Sequence, residues 1–166
     1  IPFCDISNKH YDGFIITGAP IEKIPFEQVD YWDELCRIMD WTEKNCNSVF
    51  YICWGAQAGL YYKYGIDKYM LDGKMFGIFE HSSNTSHPIL KNFPDKFYVP
   101  HSRHTSIHES DVFSKKELTV LSVSETAGIY LIADDKNNFF VTGHSEYDDN
   151  TLADEYFRDL SKNLPI

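Results

Sequence analysis

Long apolar runs are missing from this 166-residue sequence, and so is any concentration of positive charge. No stretch of 18 or more apolar residues occurs, which excludes a helix long enough to cross a bilayer. The first residues, IPFCDISNKHYDG, lack the basic segment and apolar stretch that mark a secretory signal peptide. We therefore expect no membrane partner and a cytoplasmic location.

Basic side chains are outnumbered, since 15 Lys and Arg stand against 25 Asp and Glu and give a formal net charge of −10. Because affinity for nucleic acid rests on clustered Lys and Arg, this balance argues against a nucleic-acid partner. The four cysteines, Cys4, Cys36, Cys46 and Cys53, contain no CxxC pair and no dense disulfide spacing. We expect them to be reduced thiols.

Apolar residues are plentiful enough for one core, at 43% hydrophobic and 16% aromatic. The length suits a single domain, and no linker, repeat or low-complexity tract divides it. Short β-prone runs alternate with helical patterns, which predicts an α/β fold with a mostly parallel sheet covered by helices. Strands are predicted at 13–18, 48–52, 118–124, 128–134 and 138–143, and helices at 29–45, 55–65 and 148–163.

Cys53 lies where a predicted strand meets a predicted helix, in the stretch YICWGAQAGLYY. We expect a thiol on such a turn to be exposed, and the dipole and free N–H groups of the helix N-terminus favour its thiolate. Gly55 lets the following backbone pass close by. The pattern is typical of a strand–turn–helix nucleophile elbow with cysteine in place of serine. A packed core thiol is the alternative, and it is the interpretation kept for the other three cysteines.

A second strand end supplies what a thiol nucleophile needs. His144 follows the predicted strand 138–143, and Glu146 lies two residues further on. A histidine that takes the proton and a carboxylate that orients its ring would serve Cys53. His-x-Glu is a weak signal by itself, and the pairing with Cys53 gives it weight.

A third strand ends in TGAP, residues 17–20. The backbone N–H groups of Gly18 and Ala19, with that of Trp54, would form an oxyanion hole. An ordinary turn is the alternative. Because ligands bind beyond the carboxyl ends of the strands in open α/β sheets, the three turns together predict one active site.

Five segments of the chain resemble one enzyme family: YDGFIITGAPIEKIPFEQVDYWDEL, ICWGAQAGLYYKYGI, KMFGIFEH, PHSRHT and FVTGHSEYDDNTLADEYFRDL. From Tyr11 to Leu160 they are similar, in order and spacing, to the homoserine O-acyltransferases of methionine biosynthesis, the homoserine trans-succinylase family. The resemblance implies a three-layer, flavodoxin-like fold similar to class I glutamine amidotransferases. Family chains are longer at both ends, so residues 1–166 are interpreted as a single α/β acyltransferase domain without those flanks.

The resemblance also implies roles for individual residues. Cys53 matches the acyl-thioester nucleophile, His144 the proton acceptor and Glu146 its acidic partner, although Ser145 replaces the usual proline between them. Lys74, Ser102 and Arg158 match acceptor-binding positions, Arg158 being the one that holds the amino-acid carboxylate, and Glu155 is assigned to the substrate ammonium. No cofactor is expected, and the substrates are an acyl-CoA and a small hydroxy amino acid. A homodimer is left open.

Glu22, just after TGAP, bears on the acyl donor. In the family, a glycine at this position admits succinyl-CoA, whereas a carboxylate would repel the terminal carboxylate of a succinyl group. Glu22 therefore predicts acetyl-CoA, and a solvated turn glutamate paired with Lys23 is the alternative. The acceptor is homoserine by resemblance alone, because serine differs by a single methylene.

Other functions remain open at this point. A glutamine amidotransferase-like hydrolase would use the same triad, but it generally has glycine two residues before the cysteine, where this chain has Tyr51. An inactive fragment or binding module is a further alternative. A metal site at His101, His104 and His108 is rejected, because PHSRHTSIHES is interpreted as a loop and zinc needs three or four convergent ligands.

Overall fold

The structure is a computed structural model that describes residues 2–83 and 87–164. Its strands are β1 Phe14–Ile16, β2 Val49–Ile52, β3 Lys68–Ser83, β4 Lys96–Ile107, β5 Leu118–Ser124, β6 Gly128–Asp134 and β7 Asn138–Val141, and its α-helices are α1 Trp32–Asn45, α2 Trp54–Tyr64, α3 Glu109–Phe113 and α4 Thr151–Ser161. All the predicted strands and helices are present. Strands β3 and β4 and the short helix α3 were not predicted.

The seven strands form one sheet in the order β1-β2-β7-β6-β5-β3-β4. Strands β1, β2 and β7 are parallel to one another, and the other four pairings are antiparallel. The α/β class is therefore confirmed, but the sheet is mixed rather than mostly parallel. The physical reason is the short turns between β5, β6 and β7, which can join only antiparallel neighbours because a parallel crossover needs a dozen or more residues.

The main core lies between the sheet and helices α1 and α2. Helix α1 buries Trp32, Leu35 and Met39, which recur at helical spacing on one face. Helix α2 is buried from Trp54 to Leu60, so it is apolar or small on all sides rather than amphipathic. This burial fixes the position of the residue that precedes α2.

A second hydrophobic cluster covers the opposite face of the sheet. It is built from strand residues and the turn at Leu90, and among the described residues none of its members comes from an α-helix. The prediction of helices on both faces is therefore met on one face only. The long antiparallel pair β3 and β4 curls over the other side, and Val99 of β4 packs into this cluster.

The segment PHSRHT was predicted to be a loop, and this prediction is wrong, because residues 100–105 lie inside β4. Proline is tolerated there since β4 is the last strand of the sheet order and needs no donor on its free edge. The carbonyl of Pro100 accepts a hydrogen bond from the backbone N–H of His144 at 2.9 Å. This contact ties β4 to the turn after β7.

Membrane insertion through a helix has no candidate within the described part of the chain: none of its helices combines the length and the apolar character that a bilayer requires.

Candidate active site

Cys53 occupies the sharp turn between β2 and α2. Its backbone has φ 52° and ψ −118°, a left-handed conformation that L side chains rarely adopt, and it directly precedes the first residue of α2. Strain of this kind is concentrated at functional sites, where the surrounding structure holds it in place. The backbone at Cys53 therefore has the sharp strand-to-helix turn that was predicted for a nucleophile elbow.

Cys53 is only 7% exposed as a residue, so the expectation of an exposed thiol is wrong. The turn after β1 covers it: a Cβ added to Gly18 would lie 3.1 Å from the Cys53 Cβ and 3.7 Å from its Sγ. Cys53 still lines a cavity of about 610 Å³ together with Gly18 and Ala19. A reagent must enter that cavity to reach the sulfur.

Gly55 is required by a close approach of two backbones. A Cβ at this position would lie 2.6 Å from the carbonyl oxygen of Ile16 and 2.7 Å from that of Thr17. Any side chain here would push α2 away from the end of β1. The first turn of α2 and the TGAP turn are therefore held against each other, which brings Gly18 next to Cys53.

His144 is buried beside Cys53 and is oriented by Glu146. Its Nδ1 lies 2.7 Å from Glu146 Oε1, and its ring stacks on Tyr147 with 4.2 Å between ring centroids. Nε2 is also buried and makes no hydrogen bond with any described residue. Burial by itself lowers the pKa of the ring, but the adjacent Cys53 and Glu146 side chains raise that pKa to about 10.

The cavity brings the predicted site residues together, and it also contains residues that were not predicted. Its lining includes Glu22, Cys53, Lys74, Ser102, His144, Glu146, Glu155 and Arg158 from the prediction, and Lys23, His104, Tyr147 and Asp159 in addition. These residues come from six separate chain segments. Of the three predicted oxyanion donors, Gly18 and Ala19 belong to this lining and Trp54 does not. Trp54 directly follows Cys53 in the chain.

Arg158 and Lys74 are joined by a buried carboxylate. Asp159 lies 2.6 Å from Lys74 Nζ through Oδ2, and its Oδ1 accepts from Arg158 Nε at 2.9 Å and lies 2.8 Å from Arg158 Nη2. The Asp159 side chain is almost completely buried, whereas that of Arg158 is half exposed. Lys74 and Arg158 therefore reach the cavity as an ion-paired group rather than as two independent cations.

Glu155 lines the cavity and has one unpaired carboxylate oxygen. Its Oε1 accepts a hydrogen bond from the Tyr147 hydroxyl at 2.9 Å and lies 3.8 Å from Arg158 Nη1. Its Oε2 is buried and has no hydrogen-bond partner among the described residues. Glu155 and Arg158 thus give this part of the cavity a hydrogen-bond acceptor and a cation side by side.

Glu22 is half-buried in the cavity wall. Within the described chain it forms no ion pair with Lys23, so the alternative of a solvated glutamate paired with that lysine has no contact to support it. It is close enough to Lys68 and His104 to influence their pKa values. Its carboxylate therefore contributes negative charge to this side of the cavity.

A sequence model of the family described as homoserine O-succinyltransferase matches residues 1–166. The chain belongs to the homoserine O-succinyltransferase family.

Two similar relatives are named homoserine O-acetyltransferase rather than homoserine O-succinyltransferase. The chain is 55% identical to the homoserine O-acetyltransferase of Petrotoga mobilis and 54% identical to that of Bacteroides fragilis, over 166 residues in both cases. Each match covers 99% of this chain and 54% of the relative. The chain thus spans about half the length of the curated relatives it matches.

Two solved structures of similar fold are glutamine amidotransferases. One from Thermotoga maritima has a TM-score of 0.72 at 15% identity, over 90% of this chain and 64% of that one. Another from Methylobacillus flagellatus has a TM-score of 0.70 at 11% identity, over 92% and 59% of the two chains. The class I glutamine amidotransferase-like fold expected for a homoserine O-succinyltransferase family member is confirmed.

The three histidines considered for a metal site are held apart in this family member. His101 is buried on one face of β4, His104 lies on the other face, and His108 stacks on Tyr69 with 4.2 Å between ring centroids. The described residues contain no group of three or more His, Cys, Asp or Glu suited to holding a metal ion.

Asp159 was not predicted, because the sequence pattern of α4 does not indicate that this residue is buried. The helix exposes Phe157 and buries Asp159, which is the reverse of the apolar-inside rule. A carboxylate four residues after Glu155 on the same face was the available signal, but it gains meaning only once Lys74 is known to lie opposite.

Proposed function

We propose that this protein is a homoserine O-acetyltransferase, which moves an acetyl group from acetyl-CoA to the hydroxyl of L-homoserine in methionine biosynthesis. The observation that carries the proposal is the shared cavity, which Cys53, His144 and Glu146 line together with Glu155 and the ion-paired Arg158. Membership in a homoserine acyltransferase family supports the same substrates.

The first half-reaction is transfer of the acetyl group to Cys53. The sulfur attacks the thioester carbonyl, the negative charge on the carbonyl oxygen is stabilised by the N–H groups of Gly18, Ala19 and Trp54, and CoA leaves. His144 holds the proton that is removed from the thiol and passes it to the departing CoA sulfur. One thioester is exchanged for another, so this step is close to balanced in free energy.

The second half-reaction passes the acetyl group to the acceptor. Arg158 binds the carboxylate of homoserine and Glu155 its ammonium, while Lys74 and Ser102 complete the acceptor side. His144 takes the proton of the acceptor hydroxyl, which attacks the acetyl-Cys53 carbonyl. Cys53 then leaves as a thiolate, and Glu146 stabilises the protonated ring throughout.

Glu22 supports acetyl-CoA over succinyl-CoA as the donor. A succinyl group ends in a carboxylate, which would meet the Glu22 carboxylate in the half-buried cavity wall, and like charges in such a setting cost several kcal/mol. Succinyl transfer is the second candidate, because the family carries that name. A serine acceptor is a variant of the same proposal. Serine lacks one methylene of homoserine, and a pocket discriminates between two such substrates by about 1–3 kcal/mol.

The test measures donor choice in the whole protein. We expect mass spectrometry to detect an acetyl group on Cys53 after mixing with acetyl-CoA, and Cys53→Ser to lose turnover. Glu22→Gly should raise kcat/KM for succinyl-CoA by roughly a hundredfold relative to acetyl-CoA, which corresponds to about 3 kcal/mol. Glu22→Gln, which keeps the size and removes the charge, should give an intermediate ratio.

Two results would contradict the proposal. An unchanged acetyl-to-succinyl ratio in Glu22→Gly would remove the donor assignment while leaving the acyltransferase assignment in place. Release of ammonia from glutamine, with no acyl-enzyme from either CoA ester, would favour the glutamine amidotransferase-like hydrolase instead.

A further inference from the structure

The buried face of β4 is polar where it meets the active-site turns. His101, Arg103 and Thr105 alternate along this face, and each is at most 2% exposed. A Cβ on Gly143, the residue before His144, would lie 3.0 Å from the His101 ring. Thr105 Oγ1 donates to Gln57 Oε1 at 2.8 Å, and Gln57 lies in the first turn of α2. This row therefore packs directly behind Cys53 and His144.

Arg103 is a buried cation whose hydrogen bonds all go to neutral acceptors. Its Nη1 donates to the Thr105 carbonyl at 2.7 Å, its Nη2 to the Ala127 carbonyl at 2.6 Å, and its Nε to His101 Nδ1 at 3.4 Å. Among the described residues, no carboxylate forms an ion pair with it. An uncompensated charge at this depth is costly.

The histidines next to Arg103 carry no charge of their own. His81 Nδ1 donates to the Phe79 carbonyl at 2.9 Å, so its Nε2 accepts from His101 Nε2, 3.2 Å away. His101 Nδ1 is then left to accept from Arg103. Burial, with the nearby Arg103 charge, lowers the pKa of His101 to about 2. The chain of hydrogen bonds therefore fixes the guanidinium in place without neutralising it.

We propose that Arg103 is a positioning residue whose buried positive charge stabilises the Cys53 thiolate, so that the guanidinium and the sulfur form a through-space ion pair. Burial lowers the pKa of Arg103, and the charge of Cys53 acts in the opposite direction. Cations near a cysteine favour its reactive, anionic form. If the proposed acyl transfer holds, acylation removes the charge on sulfur and leaves Arg103 uncompensated, which favours the second half-reaction that restores the thiolate.

The test compares an anionic and a neutral alkylating reagent at Cys53. Peptide mapping by mass spectrometry gives the rates at which iodoacetate and iodoacetamide alkylate Cys53, separately from the rates at the other three cysteines. In Arg103→Met we expect the iodoacetate-to-iodoacetamide rate ratio to fall about tenfold, because one buried charge near the sulfur is removed. Arg103→Lys keeps the charge and should keep the ratio within about threefold of the original. Arg37→Met, which removes an exposed cation on α1, is the matched control and should leave the ratio unchanged.

A second measurement needs no substitution at Arg103. Cys4, Cys36 and Cys46 are replaced by alanine, and Cys53 is converted with iodoacetate or with iodoacetamide. The first adduct places a carboxylate near Arg103 and the second a neutral amide of almost the same size. We expect the carboxylate adduct to have the higher Tm.

The outcomes separate an electrostatic role from a structural one. A folded Arg103→Met protein with an unchanged rate ratio, or equal Tm values for the two adducts, would overturn the proposal, and so would an equal loss of both alkylation rates. Alkylation involves no acyl donor, so failure here leaves acyl-enzyme formation untouched. Absence of an acyl-enzyme would in turn leave the alkylation result valid.

Discussion

His144 is the residue whose charge state links the two sides of the active site. Glu146 contacts its Nδ1 and Cys53 lines the same cavity, and both raise its pKa against the effect of burial. The ring is therefore protonated in the folded protein near neutral pH, and it does not behave as an isolated neutral base.

Removing the sulfur charge should lower the pKa of His144. We expect NMR titration of the imidazole protons to place the His144 midpoint at lower pH in Cys53→Ser than in the original protein, because serine stays neutral and only Glu146 still favours the cation. Exposed His10 provides an internal reference in the same spectra. An identical His144 midpoint in both proteins would mean that Cys53 carries no charge near the ring.

Helix α4 and the β3–β4 pair are the elements that hold the acceptor side of the cavity. They are joined by Asp159 of α4 and Lys74 of β3, whose side chains are both nearly inaccessible. The ring of Phe76 lies 4.4 Å from Lys74 Nζ on the other side. Loss of the carboxylate would leave a buried ammonium without a partner, which is the costly way to break an ion pair.

Asp159→Asn should reduce the free energy of unfolding by about 3 kcal/mol at pH 7. Lys74, helped by Arg158, holds the pKa of Asp159 below its ordinary 3.8, although burial opposes this. A lowered folded-state pKa means that the stabilisation is complete above pH 3.8 and is lost as pH falls through the lower, folded value. Urea unfolding from pH 7 to pH 3 should therefore show the difference between the two proteins shrinking at the acid end.

Glu80→Gln is the control for this measurement. Glu80 and Lys96 lie 2.6 Å apart, the same distance as the buried pair, but their side chains are 44% and 68% exposed. An exposed pair contributes little because water and salt screen it, so its loss should be small. Equal effects of the two substitutions would mean that burial does not set the strength of the Lys74 contact.

The sequence predicted the elements near the nucleophile well because their signals are local. Short apolar runs mark β2 and β7, and the helical spacing of Trp32, Leu35 and Met39 marks α1. Strand β3 gave no such signal, because most of its 16 residues are exposed or half-buried and a bulge interrupts its pairing between Met70 and Met75. Its partner β4 was read as a loop, since its inward residues are polar.

The residues of the candidate site also differ in whether a local sequence signal marks them. Cys53 and His144 could be found from the chain because each directly follows a recognisable strand. Asp159 and Arg103 could not, since their importance lies in partners that are distant in sequence: Lys74 is 85 residues from Asp159. A buried charge can be recognised from sequence only when the fold that buries it is already known.

Burial differs strongly between parts of the molecule. The free energy of local opening should therefore differ between the same parts. Tyr51, Ile132 and Phe140 in adjacent strands of the sheet are fully buried, whereas residues 71–73 of β3 lie in the bulge and are largely exposed. Local stability ranges from near zero at such segments to the global value in the core.

Hydrogen exchange measured by NMR should therefore show amides 71–73 exchanging at least about 10³-fold faster than those of Tyr51, Ile132 and Phe140. The core amides should share one opening free energy, equal to that found by urea unfolding. Protection of residues 71–73 at the core level would show that the β3–β4 pair unfolds only with the rest of the protein.

The mixed sheet separates the two substrates' contacts along the chain. The turns proposed for acyl chemistry follow the parallel strands β1, β2 and β7, whereas Lys74 and Ser102 belong to the antiparallel pair β3 and β4. Under the proposed function, a lineage could accumulate substitutions in that pair, other than at the buried Lys74, and so change its hydroxy amino acid while the proposed nucleophile and base stay under constant selection. Acceptor preference is in this sense the more evolvable trait of the two.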